Sequence, residues 1–234
     1  MENITKIWND DSELFQLIKK ELFTAVIGDI MDKMGFLHQF LPPQIQPLKE
    51  EMFIVGRAMT VLEADCYEEL SPKSKNEIMN KPFGLMLEAL DDIEPGEVYI
   101  CSGSSPNYAL IGELMLTRIK MLGGVGAVVN GYSRDTKGIY DVDLPVFSYG
   151  PYAQDQAPRG KVIDYRVPIE MNGVRIISGD IIIGDVDGVC VVPRSIEEEV
   201  FMLALEKARG EKKVLSAIQN GMSAIDSWNK YGIM

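Results

Sequence analysis

The chain has 234 residues, of which 46% are hydrophobic and 25% charged, and its formal net charge is −12. This is the composition of an ordinary globular protein, and the length is enough to bury a large core. The negative charge argues against nucleic acid as a partner, because phosphate binding needs clustered Lys and Arg. No apolar run approaches the roughly 20 residues that cross a bilayer, and the N-terminus lacks the features of a signal peptide. We therefore expect a cytoplasmic protein that binds neither nucleic acid nor membrane.

Histidine and cysteine are scarce, which limits the kinds of metal site that the chain can build. His38 is the one histidine, and the three cysteines, Cys66, Cys101 and Cys190, are far apart in sequence. A multi-histidine site is thereby excluded, and a zinc site of thiolates is disfavoured. Any metal must be held largely by oxygen ligands, which favours Mg²⁺ or Mn²⁺.

The N-terminal part of the chain is predicted to be helical over the first 35 residues. Ser12 can cap the first helix, and Gly35 can end the helical segment. A connecting loop with three prolines follows from 36 to 50, and a strand is predicted from 53 to 62.

The middle of the chain alternates between helices and strands. Residues 77–93 are predicted to be mostly helical, and a short buried strand follows at 98–101. A helix from about 112 to 122 then precedes strands at 127–129 and 145–148. This alternation indicates βα units.

The last third changes to β-structure and then to a helical tail. Residues 161–193 are predicted as strands, with hairpin turns at 171–174, 178–180 and 185–188. A charged helical tail begins at about 195. Together with the βα units, this pattern predicts one mixed α/β sandwich.

A glycine-rich segment at 123–126 could be mistaken for a dinucleotide-binding loop. Such a loop must follow a strand and open a helix, so that its amides can hold a pyrophosphate. These glycines instead follow a helix and precede a strand, as helix C-caps do. The order of elements therefore argues against a site for NAD or S-adenosylmethionine.

Two short segments carry residues that could perform chemistry. Gly112 lies at a predicted helix start, where free backbone N–H groups can bind an anion, and Glu113 adds a carboxylate there. Arg134 is followed by Asp135, so a bidentate carboxylate binder adjoins a metal-capable oxygen donor. The alternatives are that Glu113 only complements the helix dipole and that Arg134 and Asp135 form a surface ion pair.

The spacing of these residues resembles a motif of the RraA-like family, which includes 4-hydroxy-4-methyl-2-oxoglutarate aldolase. Glu113 and the pair Arg134–Asp135 match an acidic residue, twenty intervening residues and Arg-Asp. Glutamate replaces the aspartate of the best-studied aldolases at position 113. Other segments similar to the family are residues 23–25 with Asp29, 55–58, 93–98 and 179–193.

The resemblance implies a fold and an assembly. The expected fold is a single-domain mixed α/β/β/α sandwich of the phosphohistidine-domain-like type over residues 1–234. It would carry N-terminal helices at about 12–35 and a C-terminal helical tail at about 195–234. The family also implies a homotrimer or homohexamer in which a neighbouring subunit supplies an acid, with Glu197, Glu198 and Glu199 as candidates.

The resemblance further implies a role for each site residue. Asp135 would bind Mg²⁺ or Mn²⁺ directly, and Glu113 would bind it through water. Arg134 would hold a small 2-oxo acid at Gly112, aided by the backbone amides of Leu114 and Met115. The expected reactions are retro-aldol cleavage of 4-hydroxy-2-oxo acids and decarboxylation of oxaloacetate, because both leave a pyruvate enolate that a cation stabilises.

Two alternatives remain open at this point. The founding family member is a regulator that binds a ribonuclease, and an acidic surface would suit that role. A sugar-acid lyase or dehydratase could use the same scaffold.

Overall fold

The computed structural model describes residues 6–66 and 74–233. The chain divides into two compact units, His38–Arg194 and Met1–Leu37 with Ser195–Met234. The N-terminal residues that bear on a signal peptide lie outside the described residues. The expectation of one domain over the whole chain stays a prediction. No helix among the described residues is long and apolar enough to cross a membrane.

Helices and strands alternate through most of the described chain. The helices are α1 (Asp11–Glu21), α2 (Thr24–Lys33), α3 (Met86–Asp91), α4 (Glu113–Met121), α5 (Thr136–Val142), α6 (Glu197–Gln219) and α7 (Ala224–Tyr231), with a 3₁₀ turn at Glu77–Asn80. The strands are β1 (Gln46–Pro47), β2 (Ile54–Asp65), β3 (Glu97–Ser102), β4 (Ala109–Ile111), β5 (Gly126–Val129), β6 (Tyr132–Ser133), β7 (Val146–Ser148), β8 (Gly160–Tyr165), β9 (Ile169–Met171), β10 (Val174–Ile176), β11 (Ile181–Asp185) and β12 (Gly188–Val192).

The larger unit is built on a mixed sheet, which has eight strands within the described residues. Its order is β1-β7-β5-β3-β2-β11-β12, with β8 also paired to β2. The neighbours β2, β3, β5 and β7 are parallel, because a helix separates each of them from the next in sequence. Strands β8 and β11 pair with β2 antiparallel. The predicted mixed α/β fold class is confirmed.

The sheet is buried on both faces. Every residue of β3 is buried, and its side chains alternate between two clusters, as the period of a strand requires. Val98 and Ile100 belong to one cluster, whereas Tyr99 and Cys101 belong to the other. Residues of α3, α4 and α5 pack into the second cluster. Helix α4 in that layer carries three of the predicted site residues, Glu113, Leu114 and Met115.

Two local predictions are wrong, and four elements were not foreseen. Asp10, not Ser12, caps α1, because its carboxylate accepts a hydrogen bond from the Glu13 amide at 2.9 Å. Ser12 therefore lies inside the first turn of the helix. Residues 178–180 form a turn without a hairpin, because β10 pairs with β9 and β11 pairs with β2 and β12. The unforeseen elements are α5, the parallel pair of β4 with β6, and β1, which lies in the predicted loop from 36 to 50.

The smaller unit consists of α1, α2, α6 and α7. Helix α2 packs against α6, and each buries large apolar side chains, including Ile27, Met31 and Phe201. Arg209 on α6 forms two hydrogen bonds to the carboxylate of Glu21, at 2.8 and 3.0 Å. Helices α6 and α7 confirm the prediction that the tail beyond residue 195 is helical.

Candidate active site

A pair of parallel strands brings the two predicted site segments together. Strand β4 runs into Gly112 and α4, and β6 runs into Arg134, Asp135 and α5. The strands lie side by side, with Ile111 opposite Ser133, and the amide of Arg134 donates to the carbonyl of Ile111 at 2.9 Å. Parallel strands end at the same edge of a sheet. Gly112 therefore lies directly beside Arg134 and Asp135.

The absence of a side chain at Gly112 makes room for the carboxylate of Asp135. A Cβ added to Gly112 would lie only 2.7 Å from Asp135 Oδ2. Asp135 has φ 59° and ψ 36°, a left-handed conformation that is uncommon outside glycine and that occurs often at functional sites. Its side chain is 46% exposed. The backbone thus places the accessible carboxylate of Asp135 at the start of α5.

The N-terminus of α4 offers backbone donors beside that carboxylate. Gly112 is the N-cap residue and provides no side-chain hydrogen bond to the helix. The N–H groups of the first helical turn, including those of Leu114 and Met115, have no acceptor within the helix itself. Such a helix start favours a carboxylate or phosphate group of a ligand.

Two carboxylates flank the guanidinium group of Arg134. Arg134 Nη1 lies 2.7 Å from Asp155 Oδ1, and its Nε lies 3.6 Å from Asp135 Oδ2. Asp155 belongs to the segment between β7 and β8, which reaches β4 through a hydrogen bond from the Ala109 amide to the Gln154 carbonyl. Sequence analysis did not identify Asp155, because nothing in its local pattern shows that this loop returns to the site.

A cavity of about 490 Å³ opens next to these groups. Five of the six predicted site residues line it, namely Gly112, Leu114, Met115, Arg134 and Asp135. Asp155 and Gln156 also line it, although neither was predicted. The described structure therefore gathers the predicted residues around one space that could hold a small molecule.

Glu113, the sixth predicted residue, is not part of the cavity lining. Its carboxylate lies against Gly138 in the first turn of α5, where an added Cβ would be 2.0 Å from Glu113 Oε2. This is the same helix end at which Asp135 is the N-cap residue. A carboxylate there complements the helix dipole, and contact with a metal through water stays a prediction.

The carboxylates present fit a hard divalent cation that keeps most of its water. Among residues 6–66 and 74–233, no group of three or more His, Cys, Asp or Glu side chains is placed to hold a metal ion. A Zn²⁺ cage is therefore not formed by these residues. Mg²⁺ is commonly bound through one or two carboxylates with water and substrate as its other ligands. The exposed Asp135 carboxylate, in the space left by Gly112, fits that pattern.

A buried acid lies behind the cavity wall. Glu63 is only 1% exposed, and burial raises its pKa from 4.5 to about 8, although the hydrogen bond from Cys101 favours its charged form. The Cys101 thiol donates to Glu63 Oε2 at 3.7 Å. Within the described residues, Glu63 Oε1 and Gln156 Nε2 have no hydrogen-bond partner. Because Gln156 also lines the cavity, this cluster adjoins the site.

Comparisons with known proteins agree with the sequence motif and with the fold. The family model described as RraA-like, Aldolase/RraA, matches residues 24–191. A protein of Halalkalibacterium halodurans, named as a candidate 4-hydroxy-4-methyl-2-oxoglutarate aldolase, is 31% identical over 206 residues, which cover 88% of this chain and 89% of that protein.

Two solved structures resemble the chain along most of its length. One is described as a novel cellulase from microbes associated with the gut ecosystem. It has 32% identity and a TM-score of 0.77 over 89% of this chain and 90% of that one. The other is RraAS2 of Streptomyces coelicolor, with 22% identity and a TM-score of 0.73 over 88% of this chain and 97% of that one. The second likeness concerns the fold alone. Family model, relatives and fold agree, and the chain belongs to the RraA-like family.

Proposed function

We propose that the protein is a metal-dependent lyase acting on short 2-oxo acids. It would release pyruvate from 4-hydroxy-2-oxo acids by retro-aldol cleavage, decarboxylate oxaloacetate, or do both. The observation that carries the proposal is the grouping of Arg134, Asp135 and the uncapped start of α4 around one cavity. The aldolase name of the Halalkalibacterium halodurans relative supports the lyase class.

The chemistry requires stabilisation of negative charge as a carbon–carbon bond breaks. The first-turn amides of α4 would hold the substrate carboxylate, and Arg134 would place its guanidinium at the oxygen on which charge develops. A divalent metal held by Asp135, and through water by Glu113, would add Lewis-acid stabilisation when bound. Both reactions leave a pyruvate enolate, so one arrangement of cations serves both.

The proposal includes the setting in which the site works. The protein would be cytoplasmic and would form homotrimers or homohexamers. One of Glu197, Glu198 and Glu199 from a neighbouring copy would supply the acid that protonates the leaving group or the enolate. A carboxylic acid is a suitable proton donor when its pKa lies near the working pH.

A coupled assay for pyruvate release tests the proposal directly. The panel should contain several 4-hydroxy-2-oxo acids and oxaloacetate, each with Mg²⁺ or Mn²⁺. Cello-oligosaccharides, followed by the release of reducing sugar, belong in the same panel, because one structure similar to this chain is described as a cellulase. Sugar acids, followed by the formation of a 2-oxo acid, complete it, since a dehydratase could use the same scaffold. Pyruvate from at least one 2-oxo acid is the expected result.

Removal of the metal should abolish turnover. Oxygen ligands such as Asp135 bind hard cations reversibly, so we expect chelation to remove activity and Mg²⁺ or Mn²⁺ to restore it. The measurement is pyruvate release before chelation, after it and after metal is added back, with metal content from elemental analysis. Full turnover in metal-free protein would refute the metal dependence.

Asp155→Asn should lower kcat more than it raises KM. Asp155 lies 2.7 Å from Arg134, and a misplacement of a catalytic group by about 1 Å can cost about a hundredfold in rate. Asp92→Asn is the matched control, because it also removes a carboxylate from an exposed ion pair, with Arg166, but Asp92 does not line the cavity. Equal activity of the two variants would show that Asp155 does not position Arg134.

If no member of the panel is turned over, the protein-binding alternative is favoured. The Streptomyces coelicolor structure belongs to a family described as inhibitors of RNase ES, but its likeness to this chain concerns the fold alone. Binding of an arginine-rich peptide, measured at low and high salt, would then distinguish a regulator from an enzyme. The grouping of Arg134 with Asp135 favours the enzyme, because a regulator needs no metal ligand in a cavity.

A further inference from the structure

The cavity has a polar end and an apolar wall. Arg134, Asp135 and Asp155 form the polar end. The rest of the lining comes largely from α3, α4 and the residues before α3, and its apolar members are Phe83, Met86, Leu87, Leu90, Leu114 and Met115. The two ends provide different chemistry. The polar end suits a 2-oxo acid group, and the wall suits an apolar group.

The cavity is larger than the 2-oxo acid group requires. Its volume of about 490 Å³ lies within the range of roughly 300–1,000 Å³ that is typical of sites for drug-sized ligands. Pyruvate has only three carbon atoms. Most of the space therefore remains for the part of the substrate that leaves as an aldehyde or a ketone.

The charges that one copy of the chain places along the cavity do not suit a second carboxylate on that part. The cationic side chains among the described lining residues are Arg118 and Arg134. Arg118 Nε lies 2.8 Å from Asp91 Oδ1, and Arg134 is paired with Asp155. A second substrate carboxylate would have to compete with Asp91 for Arg118. Burying it without a cation is unfavourable.

We infer that the preferred retro-aldol substrate is a monocarboxylic 4-hydroxy-2-oxo acid whose C4 carries an apolar chain or ring, and that oxaloacetate, a dicarboxylic acid, is turned over less well. This rests on the proposed function and names the substrate class of that same cavity. It differs from 4-hydroxy-4-methyl-2-oxoglutarate, the dicarboxylic acid in the name of the Halalkalibacterium halodurans relative. An apolar leaving group would cover the wall formed by α3 and α4, and its transfer from water would favour binding.

Two matched substrates test the inference in the pyruvate assay. 4-Hydroxy-2-oxo-4-phenylbutanoate carries an apolar ring at C4, and 4-hydroxy-4-methyl-2-oxoglutarate carries a carboxylate there. We expect kcat/KM for the phenyl compound to be higher by at least about tenfold, the smallest effect usual for a methylene group in a fitted apolar pocket. A higher value for the dicarboxylic acid would overturn the inference.

A substitution on the wall should weaken this preference. Leu87 is 55% exposed, so Leu87→Arg adds a cation to the wall without burying it in the core. The ratio of kcat/KM for the phenyl compound to that for the dicarboxylic acid should fall at least about tenfold. Met121→Arg is the control, because Met121 is 75% exposed on the same helical layer but does not line the cavity.

A binding measurement separates this inference from the proposed function. 2-Oxooctanoate and 2-oxosuberate have equal chain lengths, and neither can undergo retro-aldol cleavage. Tighter binding of 2-oxooctanoate by calorimetry supports the inference, even if no compound releases pyruvate and the lyase proposal fails. Tighter binding of 2-oxosuberate overturns it. A second result would also overturn the inference: a Leu87→Arg protein that forms a smaller oligomer while its kcat/KM ratio for the two substrates is unchanged. The wall would then be an interface between copies.

Discussion

Arg134→Lys should lower kcat/KM about a hundredfold for both retro-aldol cleavage and oxaloacetate decarboxylation. The reason is that a guanidinium contact with the oxygen on which negative charge develops contributes ~3 kcal/mol in the transition state. Lysine keeps the charge but loses the planar group that can contact two oxygens at once. Both reactions should suffer equally, since both pass through the same enolate. The measurement is steady-state kinetics on both substrates, with thermal unfolding of the same preparations.

Arg134→Lys should hardly change the stability of the folded protein. The Arg134 side chain is partly exposed and paired with Asp155, and an exposed ion pair contributes only ~0–1 kcal/mol to stability. Arg209→Lys is the matched control, because it removes a bidentate contact with Glu21 in the helical unit and should leave both activities intact. An Arg134→Lys protein that melts normally, binds metal and keeps most of both activities would show that Arg134 is not the catalytic cation.

Glu63→Gln should increase the free energy of unfolding by about 3 kcal/mol at pH 7, by proton linkage. The folded protein holds the pKa of Glu63 at about 8, against 4.5 for an ordinary glutamate. Between these values the folded state keeps a proton that the unfolded state has released. The stability of the wild-type protein therefore declines as the pH rises through this window. Glutamine has nearly the same shape and does not ionise, so it avoids this loss.

The pH dependence itself separates this effect from repacking. The difference in unfolding free energy between the Glu63→Gln variant and the wild type should grow as the pH rises from about 4.5 to about 8 and then level off. Urea unfolding of both proteins across this range measures it. A constant difference at every pH would mean that the substitution changes only packing and that Glu63 ionises as readily in the folded protein as in the unfolded chain.

The sequence predicts the grouping of Gly112, Arg134 and Asp135 better than it predicts which residues surround them. Glu113, Arg134 and Asp135 follow from a motif whose spacing is visible in one chain, and Gly112 follows from the start of a helix. Asp155 cannot be found in this way, since its contact with Arg134 depends on a loop that returns to β4. The physical reason is that a motif records local spacing, whereas a loop's path is decided by the packing around it.

Glu63 and α5 illustrate two other limits. The predicted strand ends at residue 62, but β2 continues to Asp65 and places Glu63 in the interior. Glutamate is seldom fully buried, so the local pattern does not predict this. Helix α5 has one buried residue, Ile139, so its sequence has almost no apolar period to detect. In both cases tertiary packing outweighs the local pattern.

If Asp135 holds a metal as proposed, its fit against Gly112 gives a way to distinguish enzymes from binding proteins on this scaffold. Even a methyl group at position 112 would displace the Asp135 carboxylate, but it would not disturb the extended backbone there, which any residue can adopt. A chain that had given up metal chemistry could therefore accept alanine at this position and still fold. Among proteins of this shape, a side chain at the position of Gly112 would mark those that had exchanged catalysis for another task.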